Sequence, residues 1–288
     1  MPDSSNIFER GRGAIVTGGA SGIGLGAAKR LATLGMRVCI ADSDESALGH
    51  AAKDLSKLAP GGDSDVLAIK TDVSSIAEID ILAHTAFNRF GDIALLMNNA
   101  AAFDGGDAFG PLEKWHHLLN VNLFGVLNGV QRIGQAMVER KKSGAIVNTG
   151  SKQGITTPPG NTVYNVTKAA VKVLTEGLAH TLRNLPDCRI TAHLLIPGFT
   201  FTGNMARRMS EMPAGAWLPD QVAERLVDGI AHGDFYILCQ DNETTREQDE
   251  RRILWAAGDI VGNRPALSRW DARFKDAFET FMKTGPLR

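Results

Sequence analysis

Short apolar runs alternate along most of the chain with longer stretches in which apolar residues recur at helical spacing. The short runs are rich in aliphatic and β-branched side chains, as in strands that are buried on both faces. A strand followed by a helix, repeated in this way, indicates a parallel sheet with crossover helices. The pattern therefore predicts an α/β fold with a doubly wound parallel sheet and helices on both faces. Seven strands are expected, near residues 13–17, 37–41, 66–70, 93–97, 144–148, 190–196 and 235–239.

A helical extension is predicted after the seventh strand. The core with the sheet spans about residues 10–240, and the C-terminal extension spans about 242–288. A first helix is expected over 242–262, and a second is expected to begin at a capping box made by Ser268 and Asp271. We interpret the aromatic stripe of the second helix as a surface that packs on the core or on another subunit, the alternative being a lid over the substrate crevice. The stripe consists of Trp270, Phe274, Phe278 and Phe281.

Composition narrows the classes of protein to which the chain can belong. Its 288 residues, 43% of them hydrophobic, suffice for one large α/β core, so residues 1–288 are expected to form a single domain. The formal net charge of −1 predicts neither a nucleic-acid partner nor an anionic membrane surface, and the apolar runs are shorter than a membrane span. The N-terminus lacks the apolar segment of a signal peptide, and three cysteines do not make a disulfide framework. We therefore expect a cytoplasmic protein with free thiols.

A glycine-dense segment follows the first predicted strand and leads into a predicted helix. Gly18, Gly22 and Gly24 have the spacing G-x-x-x-G-x-G. The missing side chains let the backbone turn tightly and approach a pyrophosphate at the N-terminus of a helix. The sequence therefore predicts a dinucleotide site here, to which Ser21 and Ile23 also contribute.

Asp42 directly follows the second predicted strand. A carboxylate in this place accepts hydrogen bonds from the hydroxyls of the adenosine ribose. It would also repel a 2′-phosphate, and neither the glycine segment nor residues 42–44 offer an arginine or lysine to bind one. NAD is therefore predicted rather than NADP. The alternative is that Asp42 is only a turn residue.

Tyr164 and Lys168 are four residues apart in a segment with helical periodicity, so they lie on one face of the predicted helix. A cation beside a phenol favours the phenolate, which moves the tyrosine pKa toward the range of a useful general acid or base. The alternative is an exposed ring beside a solvated lysine. His116 and His117 are interpreted instead as surface residues of a long helix, and no metal site is predicted.

Seven elements resemble the classical short-chain dehydrogenase/reductase family in their order and spacing. They are TGGASGIG at 17–24, Asp72-Val73, NNAA at 98–101, VNLFG from Val121, the serine of NTGSKQG, Tyr164-x-x-x-Lys168 and Pro197-Gly198. The resemblance covers about residues 10–240 and implies a Rossmann-type fold. Ala101 and Gly150 depart from the glycine and the serine that are usual in the family at these positions.

The resemblance implies a role for each catalytic residue. Ser151 would bind and polarise the substrate oxygen, and Tyr164 would pass a proton to or from it. Lys168 would lower the pKa of Tyr164 and bind the nicotinamide ribose. Asn122 would hold a water that links Lys168 to solvent. Without the resemblance, Asn122 is interpreted as a helix kink or cap.

The resemblance also implies further contacts with NAD. Asp72 would hold the adenine amino group with Val73 beside the ring, and Asn99 and Ala100 would line the path to the ribose. After the sixth strand, the expected contacts come from Pro197, Gly198, Thr200 and Thr202. Together with the tyrosine, the lysine and the glycine segment, these residues form the predicted cofactor site.

The walls of the crevice bear on the class of substrate. Phe103 and the apolar stretch over residues 199–217 offer flexible apolar side chains with few fixed charges. Such a rim favours a bulky hydrophobic or aromatic secondary alcohol or ketone. The alternative is that several of these side chains pack in a lid helix or in a subunit contact. The residues expected to touch the substrate are Ser151, Gln153, Tyr164, Phe199 and Met205.

We therefore predict an NAD-dependent enzyme that interconverts a secondary alcohol and a ketone. The tail with NRPALSRW resembles, more weakly, that of bacterial dehydrogenases for benzylic alcohols of lignin-derived aryl ethers. The alternatives are a non-catalytic NAD(H)-binding regulator, a carbonyl reductase of the acyl or steroid type, and an epimerase or dehydratase that uses NAD transiently. The family resemblance also implies a homo-oligomer, a dimer or tetramer, with the helices over 115–140 and 164–182 at its interface.

Overall fold

Seven parallel strands form one sheet in the computed structural model, which describes residues 7–203, 209 and 211–286. Numbered along the chain, the strands are β1 Gly13–Thr17, β2 Arg37–Asp42, β3 Val66–Lys70, β4 Ile93–Asn98, β5 Gly144–Thr149, β6 Ile190–Ile196 and β7 Tyr236–Leu238. Their order across the sheet is β3-β2-β1-β4-β5-β6-β7. The predicted doubly wound parallel sheet is confirmed, and each strand lies within one residue of its predicted bounds.

The strand order reverses between β1 and β4, which are neighbours in the sheet. Because all the strands are parallel, their carboxyl ends share one edge. Ligands of such sheets bind outside that edge, where the strand order reverses. The segments that follow β1, β4, β5 and β6 therefore border one crevice.

Both faces of the sheet are buried, which explains the continuous apolar runs. On β1, Ala14 and Val16 join the apolar cluster on one face, and Ile15 joins the cluster on the other. Successive side chains of a strand point to opposite faces, so a strand with two buried faces has no polar positions. The continuous apolar runs in the sequence are therefore explained by the helices that cover both faces of the sheet.

Helices cover both faces of the sheet. They are α1 Gly22–Thr33, α2 Glu45–Leu58, α3 Ile76–Phe90, α4 Leu112–Leu119, α5 Gly125–Gly129, α6 Gln135–Glu139, α7 Gln153–Thr156, α8 Thr162–Asn184, α9 Pro219–His232, α10 Arg246–Val261 and α11 Lys275–Thr284. Side chains of α1, α2 and α9 pack on one face, and those of α3, α6 and α8 pack on the other. Within the described residues, no helix is both long enough and apolar enough to cross a bilayer.

The long helix predicted before β5 is interrupted twice. α4, α5 and α6 are joined by π-helical turns over Asn120–Phe124 and Val130–Gly134. A π turn inserts an extra residue into the helix and frequently occurs at functional sites. Asn122 lies in the first of these turns, so its interpretation as a point of helix distortion agrees with the structure.

The predicted helical C-terminal extension is present and docks on the core of its own chain through its first helix. Ile253 of α10 packs against an apolar cluster that includes Leu238 at the end of β7. The helix begins at Arg246 rather than near residue 242 because Thr245 caps it, accepting a hydrogen bond from the backbone N–H of Gln248. The extension is thereby fixed to the sheet edge at which the crevice opens.

The predicted capping box at Ser268 is wrong. The Ser268 hydroxyl is buried, accepts a hydrogen bond of 2.8 Å from the indole N–H of Trp255 and donates one to Asp259. Asp271 caps only a short 3-10 turn, and the second helix starts at Lys275. Ser268, three residues before Asp271, has the local pattern of an N-cap, but its hydroxyl bonds instead to the indole N–H of the buried Trp255.

Trp255 is the centre of the extension and is 4% exposed. Phe278 and Phe281 pack edge-on against it, with ring centroids at 5.2 and 5.3 Å. The Arg264 guanidinium lies 4.0 Å from its ring centroid. Phe278 and Phe281 of the aromatic stripe therefore pack on α10 within the extension rather than on the core as predicted, because the buried Trp255 provides their contact surface. Trp270 remains 40% exposed.

Candidate active site

Ser151, Tyr164 and Lys168 come together at the carboxyl edge of the sheet. Ser151 follows β5, and its hydroxyl forms a hydrogen bond with the Tyr164 phenol. Asn161 caps α8 by accepting a hydrogen bond from the backbone N–H of Tyr164, which fixes the tyrosine in the first turn. Lys168 lies one turn further, with its ammonium nitrogen 5.7 Å from the Tyr164 ring centroid. The exposed alternative does not hold, since the tyrosine is 7% and the lysine 2% exposed.

Burial has the largest effect on the pKa of both groups. It raises the pKa of the Tyr164 phenol, and the hydrogen bond with Ser151 offsets part of that rise. It lowers the pKa of the Lys168 ammonium to about 8. That ammonium donates a 2.8 Å hydrogen bond to the backbone oxygen of Thr149. The polypeptide alone therefore keeps Tyr164 protonated, and any lowering of its pKa requires positive charge close to the phenol.

Replacing Lys168 by methionine is expected to stabilise the fold at pH 7. Burial holds the pKa of the ammonium at about 8, below the ordinary 10.5, so the charged form is disfavoured in the folded protein. This destabilisation is complete below pH 8 and disappears as the pH rises to 10.5. At about 1.4 kcal/mol per pKa unit, the gain in unfolding free energy at pH 7 is at most about 3 kcal/mol. Denaturant unfolding at pH 7 and pH 10 tests it, and a gap that widens at pH 10 would contradict the burial argument.

Asn122 ties the π turn to the loop after β4. Its side-chain oxygen accepts from the backbone N–H of Ala102, and its amide group donates to the Ala102 oxygen and to the Thr167 hydroxyl. Asn122 is fully buried, and Thr167 directly precedes Lys168 on α8. The side chain thus has a structural role beside the lysine.

The glycine segment is packed too closely for side chains. Gly18 and Gly22 have positive φ angles of 62° and 52°. A Cβ on Gly24 would lie 2.1 Å from the Gly18 carbonyl oxygen, and one on Gly18 would lie 2.8 Å from the Cα of Ala100. Asn99 holds this arrangement by donating from its side chain to the backbone oxygens of Thr17 and Gly18. Ser21 is the N-cap of α1 and Ile23 lies in its first turn, so a phosphate at that terminus would meet them.

Asp42 joins the glycine segment to the turn before α2. One carboxylate oxygen accepts from the backbone N–H of Ala20 in the glycine segment, and the other accepts from that of Asp44 in the turn to α2. Each oxygen keeps a second lone pair for a ribose hydroxyl. Lys70 lies beside Asp42 in the register of β2 and β3, a neighbour that sequence spacing did not reveal, and it pairs with Glu45 at 3.2 Å.

The loop after β6 reaches the glycine segment. A Cβ on Gly22 would lie 3.0 Å from a methyl carbon of Thr202, so Thr202 faces the expected phosphate position. Thr200 is buried and bridges to Trp217. Pro197 accepts a hydrogen bond from the backbone N–H of Lys152, which joins this loop to the one with Ser151.

The two residues predicted to contact adenine, Asp72 and Val73, follow β3 at the carboxyl edge of the sheet. Asp72 is exposed, and one carboxylate oxygen accepts hydrogen bonds from the backbone N–H and the hydroxyl of Ser74. Val73 is buried against Gly125, and its backbone oxygen accepts from the Asn128 side chain. These bonds hold the turn that places both residues.

Comparison with known proteins assigns the family. A model of the short chain dehydrogenase family matches residues 12–213. The chain belongs to the short chain dehydrogenases. An uncharacterized oxidoreductase of Mycobacterium bovis is 34% identical over 222 residues, covering 74% of this chain and 86% of the relative. The 3beta-hydroxysteroid dehydrogenase 2 of Eggerthella lenta is 31% identical over 194 residues, which are 67% of this chain and 72% of that protein.

Solved structures agree with this assignment. A short chain dehydrogenase/reductase from Burkholderia phymatum in complex with NAD superposes with a TM-score of 0.79 at 32% identity, covering 88% of this chain and 96% of that one. A putative short-chain dehydrogenase from Novosphingobium aromaticivorans gives a TM-score of 0.73 at 28% identity and covers 96% of both chains. The Rossmann-type fold and the oxidoreductase family predicted from the motifs are confirmed.

The dehydrogenase presents an aromatic wall beside its tyrosine. The ring of Phe103 stacks on that of Tyr164, with centroids at 5.1 Å and an interplanar angle of 28°. Phe103 is 49% and Phe199 is 40% exposed. Gln153 is exposed, and its backbone N–H donates to the Ser151 hydroxyl. Met205, the remaining predicted substrate contact, lies outside the described residues.

Gly150 departs from the family pattern for a structural reason. A Cβ at this position would lie 3.0 Å from a methyl carbon of Leu194, and the Gly150 N–H donates to the Leu195 oxygen. A serine here would require Leu194 to move. Among the described residues, no group of three or more histidine, cysteine or acidic side chains is placed to hold a metal.

Sequence reasoning missed Lys152, the residue after Ser151. Its ammonium group pairs with Asp241 at 3.1 Å and with Asp249 at 2.6 Å. The three side chains are 16%, 12% and 5% exposed. A lysine in the run Ser151–Gln153 has no local signal of burial, because both partners come from beyond β7.

Proposed function

We propose that this short chain dehydrogenase is an NAD-dependent oxidoreductase that interconverts a bulky, hydrophobic or aromatic secondary alcohol and its ketone. The buried cluster of Ser151, Tyr164 and Lys168, beside a glycine cradle, carries the proposal. A buried, hydrogen-bonded phenol near a buried ammonium is difficult to explain as a stabilising feature, because both groups lose hydration. It is the arrangement that proton transfer to a bound oxygen requires.

Each residue has a role that its position supports. Ser151 donates a hydrogen bond to the substrate oxygen, and Tyr164 donates a proton to a ketone or accepts one from an alcohol. The raised pKa of Tyr164 keeps the phenol protonated, which is the form needed for reduction. Oxidation needs the phenolate, so its rate is expected to rise with pH. Lys168 supplies positive charge near the phenolate and binds the nicotinamide ribose, and the Asn122 carbonyl holds the water that connects the lysine to solvent.

The crevice fits NAD. The absent side chains of the glycine segment leave room for a pyrophosphate at the N-terminus of α1, a site with partial positive charge. Asp42 binds the adenosine ribose and disfavours a 2′-phosphate. NAD accepts a hydride from the substrate carbon during oxidation, and NADH returns one during reduction. Beyond these residues, the proposed contacts are those of Asp72, Val73, Asn99, Ala100, Pro197, Gly198, Thr200 and Thr202.

The rim supports a bulky apolar substrate. Phe103 stacks on the catalytic phenol, and Phe199 in the loop after β6 is an exposed apolar side chain. Aromatic rings at van der Waals distance favour a flat or polycyclic alcohol over a small hydroxy acid. A relative named as a hydroxysteroid dehydrogenase gives further support.

The test is a panel of secondary alcohols and ketones, assayed at the nicotinamide absorbance with NAD and NADP in parallel. We expect NAD reduction with aryl or polycyclic secondary alcohols and a preference for NAD of tenfold or more. An enzyme that is inert on the whole panel but binds NADH tightly would overturn the catalytic proposal in favour of a regulatory NAD-binding protein.

Asp42→Asn is expected to remove most of the preference for NAD over NADP. The asparagine retains an oxygen for the Ala20 or Asp44 N–H, but it loses the charge that repels a 2′-phosphate. A tenfold change in the ratio of the two affinities corresponds to about 1.4 kcal/mol. Fluorescence titration with NADH and NADPH measures that ratio. An unchanged ratio would assign Asp42 to the turn alone.

We also propose a homo-oligomer. Val166 and Val173 on α8 are 41% and 64% exposed, and Phe124 at the end of the first π turn is 47% exposed. Exposed apolar side chains on two adjoining helices are typical of a subunit contact. Light scattering during gel filtration distinguishes a monomer from a dimer or tetramer.

A further inference from the structure

The extension meets the catalytic serine loop through one buried lysine. Lys152 lies between Ser151 and Gln153, so its backbone forms part of the loop that presents the serine hydroxyl. Its ammonium group pairs with two carboxylates that follow β7. Asp241 comes from the segment just after that strand, and Asp249 lies in the first turn of α10.

The same lysine also contacts the loop after β6. Its backbone N–H donates to the oxygen of Pro197 at 3.1 Å. A Cβ on Gly198 would lie 3.0 Å from both the Lys152 ammonium and an Asp241 oxygen. One side chain therefore joins the serine loop, the loop proposed to hold the nicotinamide end of the cofactor, and the C-terminal extension.

Asp249 is important for the contact between Lys152 and the C-terminal extension, because its carboxylate compensates the charge of the ammonium group. A buried ammonium requires compensating charge, and here two carboxylates supply it. Asp249 is the more deeply buried of the two and makes the shorter contact. Without its charge, Lys152 would shift toward Asp241, which lies beside Gly198 and away from α10. The backbone of Lys152 would move with it, and so would the neighbouring Ser151.

We propose that Asp249, acting through Lys152, is a positioning residue for Ser151, so that the C-terminal extension forms part of the substrate-oxygen site. This inference rests on the oxidoreductase function proposed above. Asp249 touches neither the substrate nor the cofactor in this role. It fixes where the serine hydroxyl lies relative to the Tyr164 phenol, and a displacement of about 1 Å at a reacting group lowers rates by up to about a hundredfold.

The first measurement is the kinetics of Asp249→Asn, which removes the charge and keeps the shape. We expect kcat to fall about tenfold and KM for NAD to rise by less, because Lys152 contacts the proposed cofactor site at Pro197 and Gly198 rather than at the glycine segment. Asp249→Glu restores the charge, and a cavity of about 60 Å³ beside Asp249 has room for its additional methylene. Its longer side chain displaces the carboxylate, so kcat is expected to fall two- to threefold, less than in Asp249→Asn. Glu247→Gln on the same helix is the control, since Glu247 is 65% exposed and pairs only with Arg251 among the ion pairs of the described residues.

The second measurement does not depend on turnover. Hydrogen exchange of the peptide over residues 149–157 is expected to be faster in Asp249→Asn. The N–H of Lys152 donates to Pro197, and those of Gly154 and Ile155 donate within this loop, so all three bonds depend on the position of Lys152. Peptides from β1 and α1 should exchange as in wild type. A merely stabilising ion pair would lower the melting temperature without changing either kcat at 25 °C or the exchange of this loop.

The substrate panel, the kinetics and the hydrogen exchange together distinguish a failure of the proposed function from a failure of the positioning role of Asp249. If wild type is inert on the substrate panel, the proposed function fails, and the exchange of residues 149–157 decides whether Asp249 positions the loop. If wild type is active and Asp249→Asn retains full kcat, the positioning role is overturned even when the melting temperature falls. Should Asp249→Asn not fold, Asp249→Glu decides. A two- to threefold change in its kcat supports the proposal, and an unchanged kcat with unchanged exchange opposes it.

Discussion

Tyr164→Phe is expected to lower kcat by about a thousandfold while the Kd for NADH stays within threefold of wild type. The substitution removes only the phenol oxygen, so the ring still packs against Phe103 and beneath the crevice. Loss of a general acid or base lowers rates by about a hundred- to ten-thousandfold. Steady-state assays on the best substrate of the panel measure kcat, and fluorescence titration measures the affinity for NADH.

Tyr236→Phe is the matched control, because the chain has two tyrosines. Tyr236 lies on β7, is 47% exposed and hydrogen-bonds to Glu176 on the surface. Its substitution should leave kcat within twofold of wild type. Substantial turnover by Tyr164→Phe would assign proton transfer to another group and would remove the main support for the proposed mechanism.

Gly24→Ala is expected to lower the free energy of unfolding by about 3 kcal/mol and the affinity for NADH by at least tenfold. The new methyl group would lie 2.1 Å from the Gly18 carbonyl oxygen and 2.6 Å from the Asn99 side chain. The closer of these is a backbone atom, so the glycine segment itself must move. Because the segment is the cradle for the cofactor, stability and binding are lost together.

Gly49→Ala is the control for Gly24→Ala, at an uncrowded position in α2, which packs on the same face of the sheet as α1. A Cβ on Gly49, in the interior of α2, would meet no atom within 4 Å. Alanine is favoured over glycine in a helix by about 0.5 to 1 kcal/mol, so this variant should be slightly more stable and should bind NADH normally. Denaturant unfolding and NADH titration on both variants test the pair. Equal effects of the two substitutions would show that packing at Gly24 does not govern the cradle.

The sheet could be predicted from sequence because its central strands are buried on both faces and are therefore locally apolar. The juxtaposition of Tyr164 and Lys168 could be predicted because their spacing within α8 is local, and that of Ser151 because it follows a strand at the same edge of the sheet. The π turns were not predicted. They preserve an apolar periodicity close to that of an α-helix, so a pattern of side chains does not distinguish them from one long helix.

The remaining errors concern contacts between distant segments. Ser268 has the local pattern of an N-cap, and only its pairing with Trp255 across a bend of the extension shows otherwise. In the sequence, Lys152 has the pattern of a surface lysine. Its partners Asp241 and Asp249 lie next to it only in the folded structure, where β7 and α10 place them. Local pattern predicts elements, whereas the pairing of buried polar groups depends on topology.

The extension holds its aromatic side chains against Trp255, apart from the main apolar clusters of the sheet. A unit with few buried apolar contacts opens at a lower free energy than the core. On heating, the extension is therefore expected to come loose first, while the sheet and the glycine cradle stay folded. The enzyme would then pass through a state that still holds its coenzyme but has lost turnover. The rate of heat inactivation would therefore measure the unfolding of the extension rather than that of the sheet.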